Sequence, residues 1–411
     1  DRGPVVASTV VVAALGVLSL TVLTGYPVLH VIPVVILSVV AAVGYRSLLS
    51  WRSLVTLVVL VILLVPIRRY RLPGDLPFEL EPYRIIVALI VAAWLSSLLI
   101  DPRVWLKRSG FEWPLLLFAA ATVGSVLVNP ERARAVEDDV VKELMFFGSF
   151  LLVFYIIVSV GRPLGNLDRI VKVMLGGGAV VAALALIESR TGFNLFDRFS
   201  GVIPLLELNE APDIKGRGGR LRVYASSQHP IALGAAFVML IPLAIYMVRQ
   251  SGKQRWWLVG GLLMLGAVAT VSRTSILMLI VVGLVFLWLR PRETKRLWPA
   301  LIPVVLVVHI ALPGTIGSLK SAFFPPGGLI AEQQTNAGQR GSGRIADLGP
   351  ALREYAQRPL LGQGYGTRIV DAERQNAPIL DNQWLGSLLE TGIVGVFALG
   401  WLFVRVVRRL G

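Results

Sequence analysis

Long apolar segments recur along almost the whole chain, and they constrain its fold more than any other feature. A helix that crosses the hydrocarbon core of a bilayer needs about 20 predominantly apolar residues. About twelve segments meet this requirement and are predicted to span a membrane, at 5–24, 26–44, 49–67, 84–100, 113–128, 143–161, 169–188, 230–248, 256–271, 273–289, 297–313 and 383–404. The sequence therefore predicts an all-α polytopic membrane protein.

Composition agrees with a membrane protein. Hydrophobic residues make up 55% of the chain and charged residues only 16%, against about 45–50% and about 25% in soluble domains. A soluble protein of two or three domains, which 411 residues would otherwise suggest, is therefore excluded. The chain has no cysteine, so disulfides and cysteine-ligated metals are excluded as well. No nucleic-acid partner is expected.

Basic residues indicate how the predicted spans are oriented. The short connections on one side, from Arg46 to Arg409, are rich in Lys and Arg, and such loops stay in the cytoplasm. We therefore predict eleven spans in 1–313, an external, periplasmic-side loop at 314–382, and a last span with a basic cytoplasmic tail at 383–411. The external loop is expected to carry an amphipathic helix at 344–357 and a glycine-rich turn at 359–367.

Arginines also occur on the predicted external side, against the positive-inside rule. They are Arg68, Arg69, Arg71, Arg84, Arg217, Arg220, Arg222, Arg273, Arg340 and Arg344. For most of them, pairing with nearby acids in translocated loops is an equally good explanation. Arg273 differs because it lies between two apolar segments, where an ionisable group is costly and by default functional.

The chemistry of arginine suggests what such a site would bind. A guanidinium binds phosphate oxygens bidentately and stays charged at any relevant pH. A lipid-linked phosphate or pyrophosphate, held at the depth of Arg273, fits this chemistry. A phospholipid in contact with the protein would also fit, but it would not need a long structured loop.

Four stretches in the second half of the chain carry motifs. They are 222-RVYASSQHPIALG-234, 270-TVSRTSILML-279, 343-GRIADLGPALREYAQRPLLGQGYGT-367 and 381-DNQWLGSLLETGIVG-395. In order and spacing they resemble the O-antigen ligase and O-antigen polymerase superfamily, whose members are membrane glycosyltransferases of GT-C type. Ala225 and Ile231 stand where that family usually has Gly and Asn.

The resemblance implies transfer of a glycan from an undecaprenyl-pyrophosphate carrier to a glycan or glycolipid acceptor. The reaction would occur on the outer face of the bacterial cytoplasmic (inner) membrane, among membrane lipids, without metal or cofactor. Arg222 and Arg273 would neutralise the leaving pyrophosphate, with Arg344 as a third contact, because fixed cations help most where charge develops. Supporting candidates are Arg220, His229, Arg340, Asn382 and Glu390.

Asp381 is the candidate general base, and it departs from the family pattern. Ligase-type members usually have a His before the Asn, and it is taken to activate the acceptor hydroxyl. A partly buried carboxylate can do the same work, but Asp381 could equally cap the last helix. His229, just before Pro230 at a helix start, is expected to be structural, and Glu390 is placed to pair with an arginine.

Three other functions are weighed against a polymerase. The Asp381-Asn382 pair in place of His-Asn favours a polymerase over a ligase that attaches finished polymer to a lipid acceptor. A transporter or flippase for an anionic lipid-linked sugar would also suit a basic outer face. Transporters typically show inverted repeats and broken helices, and neither is evident in the sequence. A purely structural membrane protein would not require the arginines.

Overall fold

The computed structural model describes residues 51–67, 69–72, 81–100, 106–161, 164–203, 206–208, 221–296, 299, 301–325, 328, 347–370, 375–377, 380 and 382–410. The predicted spans at 5–24 and 26–44 lie outside these residues. Most of the described chain is helical. In chain order the helices are α1 (Trp51–Leu64), α2 (Pro82–Ile100), α3 (Glu112–Leu127), α4 (Pro130–Ala135), α5 (Glu137–Gly161), α6 (Leu164–Thr191), α7 (Phe199–Val202), α8 (Pro230–Ser251), α9 (Arg255–Ala269), α10 (Arg273–Leu289), α11 (Pro291–Arg296), α12 (Leu301–Ala311), α13 (Thr315–Phe323), α14 (Leu348–Tyr355) and α15 (Gln383–Leu410).

Two short strands interrupt the helical pattern, which the sequence did not predict. Strands β1 (Tyr70–Arg71) and β2 (Glu207–Leu208) pair antiparallel, with Tyr70 opposite Leu208. A single 3₁₀ turn at Leu195–Asp197 precedes α7.

Four described helices are long and apolar enough to cross a bilayer: Glu137–Ser159, Leu167–Thr191, Pro230–Ser251 and Gln383–Arg409. A fifth span is possible if Val305–Ala311 and Thr315–Phe323, bent by 110° at a short break, act as one. Other predicted spans coincide with shorter apolar helices, such as Arg255–Ala269 and Arg273–Leu289. The described residues thus support a polytopic helical membrane protein, while the predicted number of twelve spans is not confirmed.

The chain divides into two compact units. The first comprises the described residues of Asp1–Asp75, Glu79–Trp94 and Val160–Ala322, and the second those of Leu76–Phe78, Leu95–Ser159 and Phe323–Gly411. In the first unit the core lies between α6, α8 and α9, where Leu175, Phe237 and Leu263 are almost fully buried.

Hydrogen bonds connect the ends of several helices at one end of the first unit. Ser226, in the connection before α8, donates to the carbonyl of Leu63 in the last turn of α1, over 2.7 Å. Arg190, in the last turn of α6, donates to the carbonyls of Ile310 and Ala311 at the end of α12. These helix ends therefore lie together, as the predicted topology requires, and their placement on the external side stays a prediction.

In the second unit α3 and α15 run antiparallel. Near one pair of ends, Arg405 donates to the carbonyl of Gly110 over 2.6 Å. Near the opposite ends, the Ser125 hydroxyl donates to the carbonyl of Glu390. The basic tail and the motif entering the last span therefore lie at opposite ends of this pair.

The amphipathic helix expected at 344–357 is shorter in the structure. Helix α14 begins at Leu348, so Pro350 lies in its first turn, where the missing N–H of proline costs no intrahelical hydrogen bond. Ala351 is buried against Leu385 and Leu389 of α15. The loop helix is thus packed onto the last span.

Candidate active site

The Ser-Arg motif forms a tight buried turn between two apolar helices. Helix α9 ends at Ala269 and α10 begins at Arg273, with Ser272 as the N-cap whose hydroxyl accepts from the Ser275 N–H at 3.4 Å. Ser272 is 1% exposed, whereas Arg273 is partly exposed at the first helical position. The turn therefore presents one guanidinium at the edge of an otherwise buried segment.

Two features show that the shape of this turn is imposed by packing. Val271 has φ 48°, a left-handed conformation that is an outlier for a β-branched residue and costs about 1–2 kcal/mol. Gly234 of α8 lies against the turn so closely that an added Cβ would meet the Ser275 hydroxyl at 1.9 Å. Backbone strain of this kind clusters at functional sites.

Besides the strained backbone, the local charge is a second reason to regard Arg273 as a candidate anion-binding residue. The N-terminus of a helix carries a partial positive charge, and cations are favoured at the other end. Arg273 places a full positive charge at the N-terminus of α10. An anion bound there would be stabilised by both.

Arg222 lies in the connection before α8, and a buried carboxylate holds that connection in place. Glu188, 1% exposed in the last turn of α6, accepts from the backbone N–H of Tyr224 at 3.2 Å and of Ala225 at 2.9 Å. Asn194 donates to the carbonyl of Ala225 over 3.2 Å. The backbone beside Arg222 is therefore fixed, and Arg222 itself is only 9% exposed.

Ala225, which stands where the resembling pattern has glycine, adopts a backbone conformation typical of glycine. Its φ is 42°, in the left-handed region that favours glycine. The turn needed to present two consecutive N–H groups to Glu188 thus survives the substitution of Gly by Ala, at the cost of local strain.

Arg69 proves to be a structural residue. It is 1% exposed, pairs with Asp197 at 2.9 Å, donates to the carbonyl of Ser227 and lies 4.7 Å from the ring centre of Tyr224. Tyr224 in turn donates to the other oxygen of Asp197 at 2.7 Å. Burial lowers the pKa of Arg69 and raises that of Tyr224.

Acid pairing also accounts for two other arginines of the predicted external side. Arg71 pairs with Glu207 at 3.0 Å and Arg84 with Glu81 at 3.1 Å. Arg69, Arg71 and Arg84 thus each have a defined ion-pair partner among the described residues.

His229 has the structural role that the sequence favours. It is the N-cap of α8, and its Nδ1 accepts from the Ile231 N–H at 3.2 Å. The lone pair of Nδ1 is therefore occupied, and a proton on Nδ1 would break the cap. His229 is still placed at the same end of the first unit as Arg273, because Gly234, one turn later in α8, touches the Ser-Arg turn.

Four of the predicted site residues, Asp381, Arg344, Arg220 and Arg340, lie outside the described residues. Asn382, which follows Asp381 in the chain, is described, and it is the N-cap of α15. Its Oδ1 accepts from Trp384 N–H at 3.0 Å and from Leu385 N–H at 3.4 Å. Asn382 therefore caps the start of α15.

The loop motif and the last-span motif meet in the second unit. Inside α15 the helix is broken at Gly392, with φ 66° and ψ −167°. The N–H groups of Ile393 and Val394 donate to the carbonyls of Pro359 and Leu360, at 2.9 and 3.3 Å. The glycine-rich turn is thus joined to the break by backbone hydrogen bonds.

This broken helix corrects the expectation that none is present. The predicted glycine-rich turn, in contrast, is confirmed, since Gly362, Gly364 and Gly366 all have positive φ.

Glu390, predicted to pair with an arginine, is attracted by Arg368 and repelled by Glu143.

Sequence reasoning missed Glu188 and the two arginines Arg132 and Arg358. Glu188 could have been found, because it is an acid near the end of a predicted span, where ionisable residues are by default functional. Arg132 and Arg358 gave no such signal, since each lies in a polar connection. Among the described residues, no group of three or more His, Asp or Glu could hold a metal ion.

Comparison with known families adds one finding. Residues 258–400 match the family model described as O-antigen ligase (Wzy_C). The match includes the Ser-Arg turn and the broken last span, but not Arg222 or His229. No curated protein and no solved structure gives a significant match.

The match confirms the resemblance to the O-antigen ligase and polymerase superfamily. It supports the function of an O-antigen ligase- or polymerase-type membrane glycosyltransferase, acting on lipid-linked glycan and an acceptor. Together with the apolar helices, it points to an integral protein of the bacterial inner membrane.

Proposed function

We propose that this protein is a polysaccharide polymerase that joins glycan units carried on undecaprenyl pyrophosphate, on the outer face of the inner membrane. The observation that carries this proposal is Arg273, at the N-terminus of α10 within the matched family domain. A strained, buried turn fixes the backbone position from which its guanidinium extends. Preorganised charge of this kind is a major source of catalysis.

The reaction we propose is a single displacement at the anomeric carbon of the donor. The acceptor hydroxyl oxygen forms a bond to that carbon while the bond from the carbon to the pyrophosphate oxygen breaks. The electron pair of the broken bond goes to the pyrophosphate. Arg222 and Arg273, with Arg344 as a third contact, stabilise the charge that develops there.

The proton of the acceptor hydroxyl goes to the Asp381 carboxylate. This role is supported by Asn382, whose side chain already caps the last helix. A base within hydrogen-bond reach contributes about 10²–10⁴ in rate. The pyrophosphate is a good leaving group and needs no separate acid.

An O-antigen ligase is the second candidate, because the matched family carries that description. The two activities differ in what they require. Purified protein incubated with lipid-linked repeat units alone should yield a ladder of longer products if it is a polymerase. A ligase would instead give one transferred product, and only after a glycolipid acceptor is added.

A transporter would give neither result. Protein that moves lipid-linked sugar across vesicles but forms no glycosidic bond, with or without acceptor, would refute the proposed transferase activity.

A further inference from the structure

The second unit contains a cavity of about 460 Å³ that the proposed reaction does not use. It lies between the turn that joins α3 to α4 and the turn that follows α14, and Asn129, Glu131, Arg132, Arg358 and Gln363 contribute to its lining. Sites for small molecules typically have volumes of about 300–1,000 Å³. The cavity is therefore large enough for a charged group together with part of its carrier.

Two guanidiniums face this cavity, and their hydrogen-bond acceptors among the described residues are neutral. Arg132 donates through Nη1 to the side-chain oxygen of Gln363. Arg358 donates through Nη1 to the side-chain oxygen of Asn129 and, at 3.1 Å, to the carbonyl of Val128. In each guanidinium, Nη1 donates the hydrogen bonds that orient the group. The remaining nitrogens, Nε and Nη2, donate to none of the described residues.

Among the described residues, neither Arg132 nor Arg358 forms an ion pair with a carboxylate. Glu354 attracts Arg132, but it is held in an ion pair with Arg368 at 2.8 Å. Arg368 and Arg358 both repel Arg132, and Glu131 is an exposed residue. Burial also lowers the pKa of Arg132.

Arg132 and Arg358 therefore repel each other, and the carboxylate that attracts Arg132 is already paired with Arg368. Like charges this close are costly unless an anion lies among them. A phosphate presents several oxygens in the geometry that guanidiniums bind bidentately.

We propose that this cavity binds a phosphate-type oxyanion between Arg132 and Arg358. The residues that line this cavity belong to the second unit, whereas Arg222 and Arg273 belong to the first. The phosphate could be borne by a membrane lipid headgroup or by a soluble or glycan-linked group. Both sources share the same chemistry at the cavity.

Binding of inorganic pyrophosphate to protein in phosphatidylcholine nanodiscs tests the proposal. In a variant with Arg222→Ala and Arg273→Ala, pyrophosphate should still bind and raise the unfolding temperature. Adding Arg132→Ala and Arg358→Ala should weaken this binding at least tenfold. If that background does not fold, calorimetry on the wild type should show two binding events, of which the cavity variants remove one.

Arg134→Ala is the matched control, since Arg134 is an exposed arginine on the same short helix α4. It should leave pyrophosphate binding unchanged. Equal binding by Arg134→Ala and by the cavity variants would overturn the proposal, as would the absence of any binding that depends on Arg132 and Arg358. Loss of stability without loss of binding would make both arginines structural only.

Nanodiscs with phosphatidylglycerol distinguish the source of the phosphate. A lipid headgroup in the cavity should raise the unfolding temperature of the wild type, but not of the cavity variants, and should weaken pyrophosphate binding. Unchanged pyrophosphate binding in these nanodiscs would assign the cavity to a soluble or glycan-linked phosphate. Neither outcome depends on transferase activity, so the proposed function and this site can fail separately.

Discussion

Replacing Gly392 by Ala should disrupt the junction between the glycine-rich turn at 359–367 and helix α15. Gly392 has φ 66° and ψ −167°, a region essentially confined to glycine, in which other residues cost about 1–3 kcal/mol. An added Cβ would meet the Leu360 carbonyl oxygen at 2.2 Å and the Gly362 nitrogen at 2.7 Å. These atoms belong to backbone, so they cannot move aside as a flexible side chain would.

The substitution would also break the hydrogen bonds that join the two segments at this junction. The Ile393 and Val394 N–H groups bond to the carbonyls of Pro359 and Leu360, and each such bond contributes about 0.5–1.5 kcal/mol. Together with the backbone strain, Gly392→Ala should lower the free energy of unfolding by about 2–6 kcal/mol.

Thermal unfolding of the purified protein in detergent, followed by tryptophan fluorescence, measures this loss. Gly400→Ala is the matched control, because Gly400 lies in the same helix with no atom near its added Cβ. It should be neutral or slightly stabilising, since Ala is the better helix former. Equal unfolding temperatures for the two variants would refute the proposed role of the break.

Four further predictions concern the proposed site and its orientation. Arg273→Ala should insert normally yet form no product ladder, and Arg273→Lys should rescue poorly because a point charge cannot reproduce a bidentate fork; near-normal activity of the lysine variant would contradict phosphate binding. Asp381→Asn should be stable but about 10²–10⁴ slower in transfer, and an unchanged rate would exclude Asp381 as the base. Ala225→Gly should relieve strain and raise the free energy of unfolding by up to ~1 kcal/mol, whereas a lower unfolding temperature would show that the positive φ costs nothing. A cysteine at Gln339 should react with an impermeant thiol reagent in intact spheroplasts; labelling only after lysis would reverse the predicted orientation.

Much of the fold follows from local sequence. Apolar runs predict the long helices because a span needs about 20 such residues, and α6, α8 and α15 lie where those runs occur. The turn at 359–367 was predictable because glycines tolerate positive φ. The predicted and observed bounds of α14 differ. The helix begins at Leu348 because Pro350 is tolerated only in its first turn.

The rest depends on contacts between residues far apart in sequence. Glu188 acquires its role only when the connection carrying Tyr224 and Ala225 folds back onto the end of α6. The Ser-Arg turn owes its strained backbone to the close approach of Gly234. No local propensity encodes either contact, so the sequence singled out Arg273 as a candidate without predicting the packing of its turn.

The broken last span bears on the choice between a transporter and a transferase. In transporters, unwound helices line a cavity, and their free backbone groups coordinate ions or substrate. Here the groups around Gly392 are already bonded: Ile393 and Val394 donate to the carbonyls of Pro359 and Leu360, and the Leu389 carbonyl accepts from the Gln363 N–H at 2.8 Å. Backbone polar groups must be satisfied inside a membrane, so these bonds fasten the loop to the span. A fixed loop suits an enzyme that must hold two substrates in register, whereas the unwound helices of transporters keep backbone groups available for ions or substrate.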